Sequence, residues 1–137
     1  MSYLLDTNAC IAALNGRPPV VRDRIVRARN AGDAIIVSSI ALFELWHGLG
    51  RSMQPERNAE RLAIFRDSVE ILAFDEEDAR IAGGIEAELR ERGTPIGPYD
   101  VLMAGQALRR GWMLVTANVR EFARVPALHW EDWTLPP

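Results

Sequence analysis

The stretch Ser2-Tyr3-Leu4-Leu5-Asp6-Thr7-Asn8 places a short apolar run directly before residues that favour a helix start. Residues 2–6 are typical of a short buried strand, and Asp, Thr and Asn commonly cap the helix that follows. A helix through Ile11 and Leu14 is then broken at Asn15-Gly16. The N-terminal segment therefore predicts a β-strand followed at once by an α-helix.

The same alternation continues along the whole chain. Further strands are predicted at 34–38, 69–74 and 113–116, with an edge strand at 128–130. Further helices are predicted from Pro18-Pro19 to about 30, from a cap at Ser39 to about 48–50, and from Pro55 to about 67. Two more are predicted at 75–92 and from Gly97-Pro98 to 111, with a short helical turn after the fourth strand. The pattern predicts one α/β domain over residues 1–137, with a mainly parallel four- to five-stranded sheet flanked by helices on both faces.

Composition sets limits on the class of protein. The 137 residues are 48% hydrophobic and 26% charged, as in an ordinary soluble globular domain. Cys10 is the only cysteine, which excludes an intramolecular disulfide and suits the reducing cytoplasm. No signal peptide is visible, and no stretch reaches the roughly 18 apolar residues of a membrane-spanning helix. We therefore expect a cytoplasmic protein without membrane contact.

Three carboxylates stand in unusually apolar surroundings. Asp6 ends the first apolar run, Glu44 lies within Ile40-Ala41-Leu42-Phe43-Glu44-Leu45-Trp46, and Asp100 opens the apolar stretch 101–104. A buried carboxylate needs a partner, a proton or a metal ion. In open α/β sheets, sites form at the carboxyl ends of strands, where Asp6 lies and where residues on the following helices can reach. If the three meet, they suit a hard divalent ion such as Mg²⁺ and indicate metal-dependent phosphodiester hydrolysis.

Each carboxylate also has a purely structural interpretation. Asp6 could cap the first helix, and Asp100 could complement the dipole of a helix's first turn. Glu44 lies well inside a helix, and we find no neighbouring lysine or arginine to pair with it. All 16 basic residues of the chain are arginine, and the net charge is −3. That charge disfavours a broad non-specific nucleic-acid binder but not a nuclease, whose acidic site itself contributes negative charge.

Other catalytic chemistries lack their motifs. Glu44-Leu45-Trp46-His47 spells Glu-x-x-His, but a di-iron bundle needs two copies and a bundle pattern. His47 and His129 lack the spacing of a zinc site. The chain contains no Gly-x-Ser-x-Gly elbow and no glycine-rich phosphate loop. A receiver-like domain would need a lysine after its last strand, and this chain has none.

Taken together, the motifs resemble those of PIN-domain ribonucleases, and most closely the VapC toxins of bacterial toxin–antitoxin systems. The resemblance spans nearly the whole chain, with its motifs in order. Residues 115–122 with Val125-Pro126 and Trp130-Glu131-Asp132-Trp133 are similar to the C-terminal signature of the VapC branch that cuts initiator tRNA. The motifs that carry the resemblance are Leu4-Leu5-Asp6-Thr7-Asn8, Phe43-Glu44-Leu45-Trp46-His47-Gly48 and residues 95–104.

The resemblance implies a role for each matching position. Asp6, Glu44 and Asp100 match the acidic metal site for Mg²⁺, for which Mn²⁺ can substitute, and Asn118 falls on the family's fourth acidic position. Thr116 matches a hydroxyl residue that orders the site. The other positions expected near the site are Thr7 and Asn8 as supporting residues, Glu121 as a compensating carboxylate, and Arg120 and Arg124 as RNA-binding candidates. In-line attack would then leave a 5′-phosphate and a 3′-hydroxyl.

The resemblance also implies partners. These are an RNA substrate, tRNA and in particular initiator tRNA, together with a VapB-type antitoxin whose helix fills a hydrophobic groove. A homodimer and a higher toxin–antitoxin complex are implied too, with DNA contacted only through the antitoxin. Trp46 could line the groove or belong to the core. One alternative stays open, because Asn118 brings no charge: a catalytically weak member that binds RNA or its antitoxin without significant cleavage.

Overall fold

Five parallel strands form a single sheet in the computed structural model, which describes residues 1–136. The sheet has the order β3-β2-β1-β4-β5, so the first strand is central. Both neighbours pair with β1 in parallel, and Leu4 lies opposite Ile36 on one side and Leu114 on the other. The strands are β1 (Ser2–Leu5), β2 (Ala34–Ser38), β3 (Glu70–Leu72), β4 (Met113–Val115) and β5 (Trp130–Glu131). The predicted parallel α/β architecture is confirmed.

Helices connect the strands and cover both faces of the sheet. The helices are α1 (Thr7–Asn15), α2 (Pro19–Asn30), α3 (Ser39–Leu49), α4 (Pro55–Asp67), α5 (Glu76–Glu91), α6 (Pro98–Arg110) and α7 (Val119–Phe122). In residues 1–136, no helix combines the length and apolarity needed to cross a bilayer.

Alternate residues of the central strands build two separate cores. Leu5, Val37 and Val115 face a core shared with buried residues of α1 to α4. Their neighbours Leu4 and Leu114 face a second core that is closed mainly by α5 and α6. Because successive side chains of a strand point to opposite faces, a sheet covered on both sides needs apolar residues at nearly every position.

Several strand boundaries and one cap differ from the sequence-based prediction. β1 ends at Leu5 rather than 6, β4 ends at Val115 rather than 116, and β3 begins at Glu70 rather than 69. β3 ends at Leu72 rather than 74, because its pairing partner β2 ends at Ser38. The edge strand lies at 130–131 rather than 128–130, because Leu128 is instead buried in the second core. The cap of α3 is Ser38, whose hydroxyl accepts from the Ile40 amide at 3.0 Å, and not Ser39.

A buried ionic cluster joins α5 to α6. Asp75 and Asp78 form the capping box of α5, since each side chain accepts a hydrogen bond from the other residue's amide. Asp78 is fully buried and accepts hydrogen bonds from Arg109 and Arg110 at 2.9 and 2.8 Å. Burial raises the pKa of Asp78, but the bonds from Arg110, the Asp75 amide and Arg109 outweigh it and lower the pKa to about 2. This carboxylate is therefore fully compensated by protein partners, so we assign it a structural role.

Candidate active site

Asp6 lies at the carboxyl end of the central strand and is buried. It is the N-cap of α1, since its Oδ1 accepts from the Ala9 amide at 2.8 Å. Burial raises the pKa of Asp6. The nearby Thr116 hydroxyl and the hydrogen bond from the Ala9 amide lower the pKa, while the negative charges of Glu44 and Asp132 raise it further. The capping interpretation of Asp6 is thus confirmed, but it does not account for the acidic neighbours.

Thr116 follows the adjacent strand β4 and is also buried. Its hydroxyl accepts from the Asn118 amide N–H at 2.9 Å and lies close enough to Asp6 to lower the pKa of that carboxyl. The Asp6 amide N–H also donates to the Val115 carbonyl at 3.0 Å, so the ends of β1 and β4 are joined at one edge of the sheet, as expected for neighbouring parallel strands.

Asp100 lies in the first turn of α6 and is half-buried. Burial raises its pKa to about 7, with further contributions from the negative charges of Glu121, Asp6 and Glu44. Asn118 Nδ2 donates to Asp100 Oδ2 at 3.4 Å and also to the Glu121 carboxylate. Asp100 therefore lies among negatively charged side chains, and the side chain that donates a hydrogen bond to it is the neutral amide of Asn118.

Gly97 leaves room for the Asp100 carboxylate. A Cβ built on Gly97 would lie 3.0 Å from Asp100 Oδ2, closer than such contacts normally come. A side chain at position 97 would therefore displace the carboxylate from its present position.

Glu44 faces the same region from α3 and is half-buried. The Thr7 hydroxyl donates to Glu44 Oε1 at 2.6 Å, which links the start of α1 to α3. The apolar residues that flank Glu44 along the chain are only partly buried, since Leu45 is buried whereas Phe43 and Trp46 are exposed. The core interpretation of Trp46 is therefore wrong.

The remaining predicted positions are more varied. Asn8 and Arg120 are exposed. Arg124 donates to the Pro95 carbonyl at 2.9 Å and so fastens the segment that precedes α6. Asn118 Nδ2 donates to both Glu121 and Asp100, so these two carboxylates lie close to each other. The structure thus brings Asp6, Glu44, Asp100 and Glu121 into one acidic region and leaves the Arg120 side chain accessible.

Asp132 is an acidic neighbour that the sequence analysis did not single out. Its charge raises the pKa of Asp6, and it lines a cavity together with Asn8 and Thr116. Asp132 directly follows β5, just as Asp6 directly follows β1. With the edge strand predicted at 128–130, Asp132 does not directly follow a strand. The predicted strand end therefore gave no reason to include Asp132 among the site residues.

The donor chemistry of this region fits a divalent cation. Burial and then neighbouring carboxylates raise the pKa values of Asp6 and Asp100, so a bound cation would stabilise the ionised form of both. None of the ion pairs within residues 1–136 involves Asp6, Glu44, Asp100 or Glu121. Within the same residues, no three Asp, Glu, His or Cys side chains converge closely enough to hold an ion as they stand. Glu44 and Asp100 are instead engaged by Thr7 and Asn118.

Comparison with known proteins gives a consistent result. A PIN domain family model matches residues 3–128. The tRNA(fMet)-specific endonuclease VapC of Salmonella typhimurium is 41% identical over 133 residues, which cover 97% of this chain and 98% of that protein. A ribonuclease VapC2 of Rickettsia felis is 37% identical over 134 residues, covering 97% of this chain and 98% of that protein.

Solved structures match over the same length. The crystal structure of VapBC2 from Rickettsia felis bound to a DNA fragment from their promoter has a chain with a TM-score of 0.91 and 35% identity. That match covers 97% of this chain and 99% of the other. DNA-bound VapBC from Salmonella typhimurium gives a TM-score of 0.89 and 41% identity, covering 97% and 98%.

Proposed function

The chain belongs to the VapC family of PIN-domain ribonucleases, the toxins of VapBC toxin–antitoxin systems, and from that membership we propose its site, its cofactor, its substrate and its partners. The observation that carries the proposal is the acidic region at the carboxyl edge of the sheet. There Asp6 and Asp100 both have raised pKa values without a compensating arginine.

Asp6, Glu44 and Asp100 hold a divalent cation, Mg²⁺ or Mn²⁺. Carboxylate oxygens are the ligands that these ions prefer. When bound, the cation supplies the positive charge that lets RNA phosphate approach an acidic site and makes a neighbouring water more acidic. Asn118 contributes no charge, so we propose one well-occupied ion, with a second recruited by the RNA phosphate. Two fully occupied ions on protein ligands alone, in a Mn²⁺ crystal with a substrate analogue, would contradict this count.

The chain's own residues position the reaction. Glu44 orients the attacking water, and its own orientation is fixed by the 2.6 Å hydrogen bond from Thr7. Thr116 holds Asp6, and Asn118 holds Asp100, at the ends of the two neighbouring elements. Water attacks the phosphorus in line, the bond to the 3′-oxygen breaks, and the products carry a 5′-phosphate and a 3′-hydroxyl.

Initiator tRNA is the proposed substrate. Two relatives at 41% and 40% identity, from Salmonella typhimurium and Shigella flexneri, are named tRNA(fMet)-specific endonucleases. This chain covers almost the whole of each relative, including the C-terminal residues that carry the resemblance to that branch.

Cleavage of total tRNA tests this function. Purified protein should give discrete fragments with Mg²⁺ or Mn²⁺ and none with EDTA, and Asp6→Asn and Glu44→Gln should abolish them. Asp67→Asn is the charge-matched control, because Asp67 lies at the exposed end of α4. Intact RNA with bound Mn²⁺ would instead favour the catalytically weak alternative, for which the neutral Asn118 beside Asp100 is the supporting observation.

A VapB-type antitoxin is the proposed protein partner, in a complex that includes a homodimer of this chain. An apolar groove between α2 and α4 supports the antitoxin as a partner, and it is lined by Ile25, Val26, Ile64 and Phe65. Three arginines also line it, Arg22, Arg29 and Arg61. The groove therefore suits a partner helix with an apolar stripe and acidic flanks. Ile64→Glu should prevent co-purification with a co-expressed antitoxin and leave tRNA cleavage intact.

A further inference from the structure

Three aromatic side chains form an exposed cluster beside the acidic region: Phe43, His47 and Tyr99, here called the aromatic platform. The rings of Phe43 and Tyr99 have centroids 5.4 Å apart and are tilted by 54°. The rings of Phe43 and His47 stack with 16° between their planes and centroids 6.3 Å apart. The platform therefore bridges α3 and α6.

The platform rings are accessible rather than part of either core. Phe43 is 52% exposed and Tyr99 is 41% exposed. Neither ring belongs to the two hydrophobic clusters of residues 1–136. Leaving large aromatic surface in water loses the stabilisation that burial would give, so an exposed aromatic cluster indicates a ligand-binding surface.

The platform is continuous with the candidate active site along the chain. Phe43 directly precedes Glu44, and Tyr99 directly precedes Asp100. The two rings that contact each other across α3 and α6 are thus attached to the same two helix segments that carry two of the three site carboxylates. A ligand whose phosphate reaches the carboxylates can reach the platform with an adjacent group.

We propose that the aromatic platform stacks on an unpaired RNA base next to the scissile phosphate. This inference rests on the proposed ribonuclease function and adds the side chains that hold that base beside the acidic region. Nucleic acid presents a flat aromatic face within one nucleotide of a phosphate, which matches a platform beside a phosphate-binding site. In a duplex the base faces are covered by their neighbours, so the platform has nothing to stack on.

A second copy of the chain is the competing occupant. Stable protein interfaces bury about 800 Å² on each partner, far more than three half-exposed rings provide. Two of the three platform rings, His47 and Tyr99, carry polar atoms, which suits a wet nucleic-acid site better than a closed apolar interface. These features favour RNA, and oligomeric state becomes an outcome of the test.

Binding of labelled RNA tests the proposal without cleavage. The parent protein is Glu44→Gln, because glutamine still offers an oxygen to the Thr7 hydroxyl. The probes are fluorescein-labelled A12 and the A12–U12 duplex, with Mg²⁺ present and fluorescence anisotropy as the readout. Phe43→Leu and Tyr99→Leu should each weaken A12 binding about tenfold, since base–aromatic stacking is sequence-tolerant and of that order.

A conservative variant and a remote variant separate the loss of base stacking from a general effect of substitution on the folded protein. Tyr99→Phe should retain A12 binding, because it keeps the aromatic ring. Met53→Leu is the control, because Met53 is a fully exposed apolar residue in the segment between α3 and α4. A12 containing 2-aminopurine should show fluorescence quenching on binding the parent, and Phe43→Leu should reduce that quenching.

Three results would overturn the proposal. The leucine variants could bind A12 as tightly as the parent, they could lose affinity for A12 and for the duplex to the same extent, or the parent could bind neither probe. A dimer that becomes monomeric with Phe43→Leu in sedimentation velocity, with A12 affinity per chain unchanged, would assign the platform to a second copy. The nuclease proposal is judged separately by wild-type tRNA cleavage, so a wild type that cuts tRNA while the leucine variants bind A12 normally refutes the platform alone.

Discussion

The side-chain amide of Asn118 donates a hydrogen bond to Asp100 Oδ2 across 3.4 Å. A neutral group therefore lies next to Asp100, a carboxyl whose pKa is raised. The pKa of Asp100 is raised to about 7 by burial and then by Glu121, Asp6 and Glu44. A carboxylate at position 118 would add a negative charge to those that a cation must balance. The neutral amide of Asn118 adds no charge and does not repel Asp100.

Asn118→Asp should therefore increase divalent-cation affinity. A further carboxylate near a bound ion adds Coulombic attraction of a few kcal/mol before screening, so about tenfold tighter Mn²⁺ binding is expected. Isothermal titration with Mn²⁺ measures it directly. Asn30→Asp adds the same charge at the exposed end of α2 and should leave the affinity unchanged. Equal affinities for Asn118→Asp and wild type would show that position 118 does not face the ion.

Thr7→Val should slow RNA cleavage while the protein remains folded. Valine keeps the shape of threonine but cannot donate the 2.6 Å bond that fixes Glu44 Oε1. We expect kcat to fall about tenfold, less than the roughly hundredfold loss for a displaced catalytic group, because Glu44 itself is retained. Single-turnover cleavage with saturating protein measures the change. Thr7→Ser restores the hydroxyl and should recover most of the rate, and failure of that rescue would argue for a packing role of Thr7.

The cation-free protein should lose stability as pH rises towards neutrality, and Asp100 should cause part of that loss. Its folded pKa of about 7 lies above the ordinary value of 3.8. The folded state therefore holds a proton that the unfolded state releases, and the contribution of Asp100 is complete below about pH 4 and lost by about pH 7. Urea unfolding in EDTA at pH 4.5 and 7.5 should show a smaller decrease for Asp100→Asn than for wild type. Equal decreases would place the Asp100 carboxyl in contact with water.

Gly105 and Gly84 should respond to alanine in opposite directions. A Cβ on Gly105 would lie 2.8 Å from the Ala82 Cβ and 2.9 Å from the Ala82 backbone, so α5 and α6 would have to move apart. We expect Gly105→Ala to lower the free energy of unfolding by about 1–3 kcal/mol. Gly84 lies on the exposed side of α5 with nothing within 4 Å of a new Cβ, so Gly84→Ala should raise stability by up to about 1 kcal/mol. Urea unfolding of both variants gives the comparison, and similar effects would show that the helices tolerate a wider spacing.

Much of the fold could be predicted because its signals are local. The apolar run before Asp6 and the β-branched residues 34–38 each specify a strand, and Asp75 with Asp78 specifies a helix start. The strand ends were less predictable, because a strand stops where its partner stops. β3 ends at Leu72 since β2 ends at Ser38, and no residue of β3 itself carries that information.

The placement of Asp6 in the candidate site could be predicted for a related reason. Asp6 follows a strand directly, and parallel strands end at one edge, so sequence order alone places it there. Asp132 obeys the same rule, but its strand is two residues long, and only the pairing with Leu114 and Val115 fixes where that strand ends. Short edge strands carry too little hydrophobic pattern to fix their register.

Sequence by itself determined which elements form and which residue types stand at their ends, because hydrophobic period, capping and turn residues act over a few positions. Tertiary structure alone decided which side chains meet. Thr7 and Glu44 are 37 residues apart yet hydrogen-bonded, and Phe43 pairs with Tyr99 on the surface although Phe43 lies in an apolar run that suggests burial. Burial and pairing of a side chain depend on what packs against it from distant segments, and that is set only when the whole chain folds.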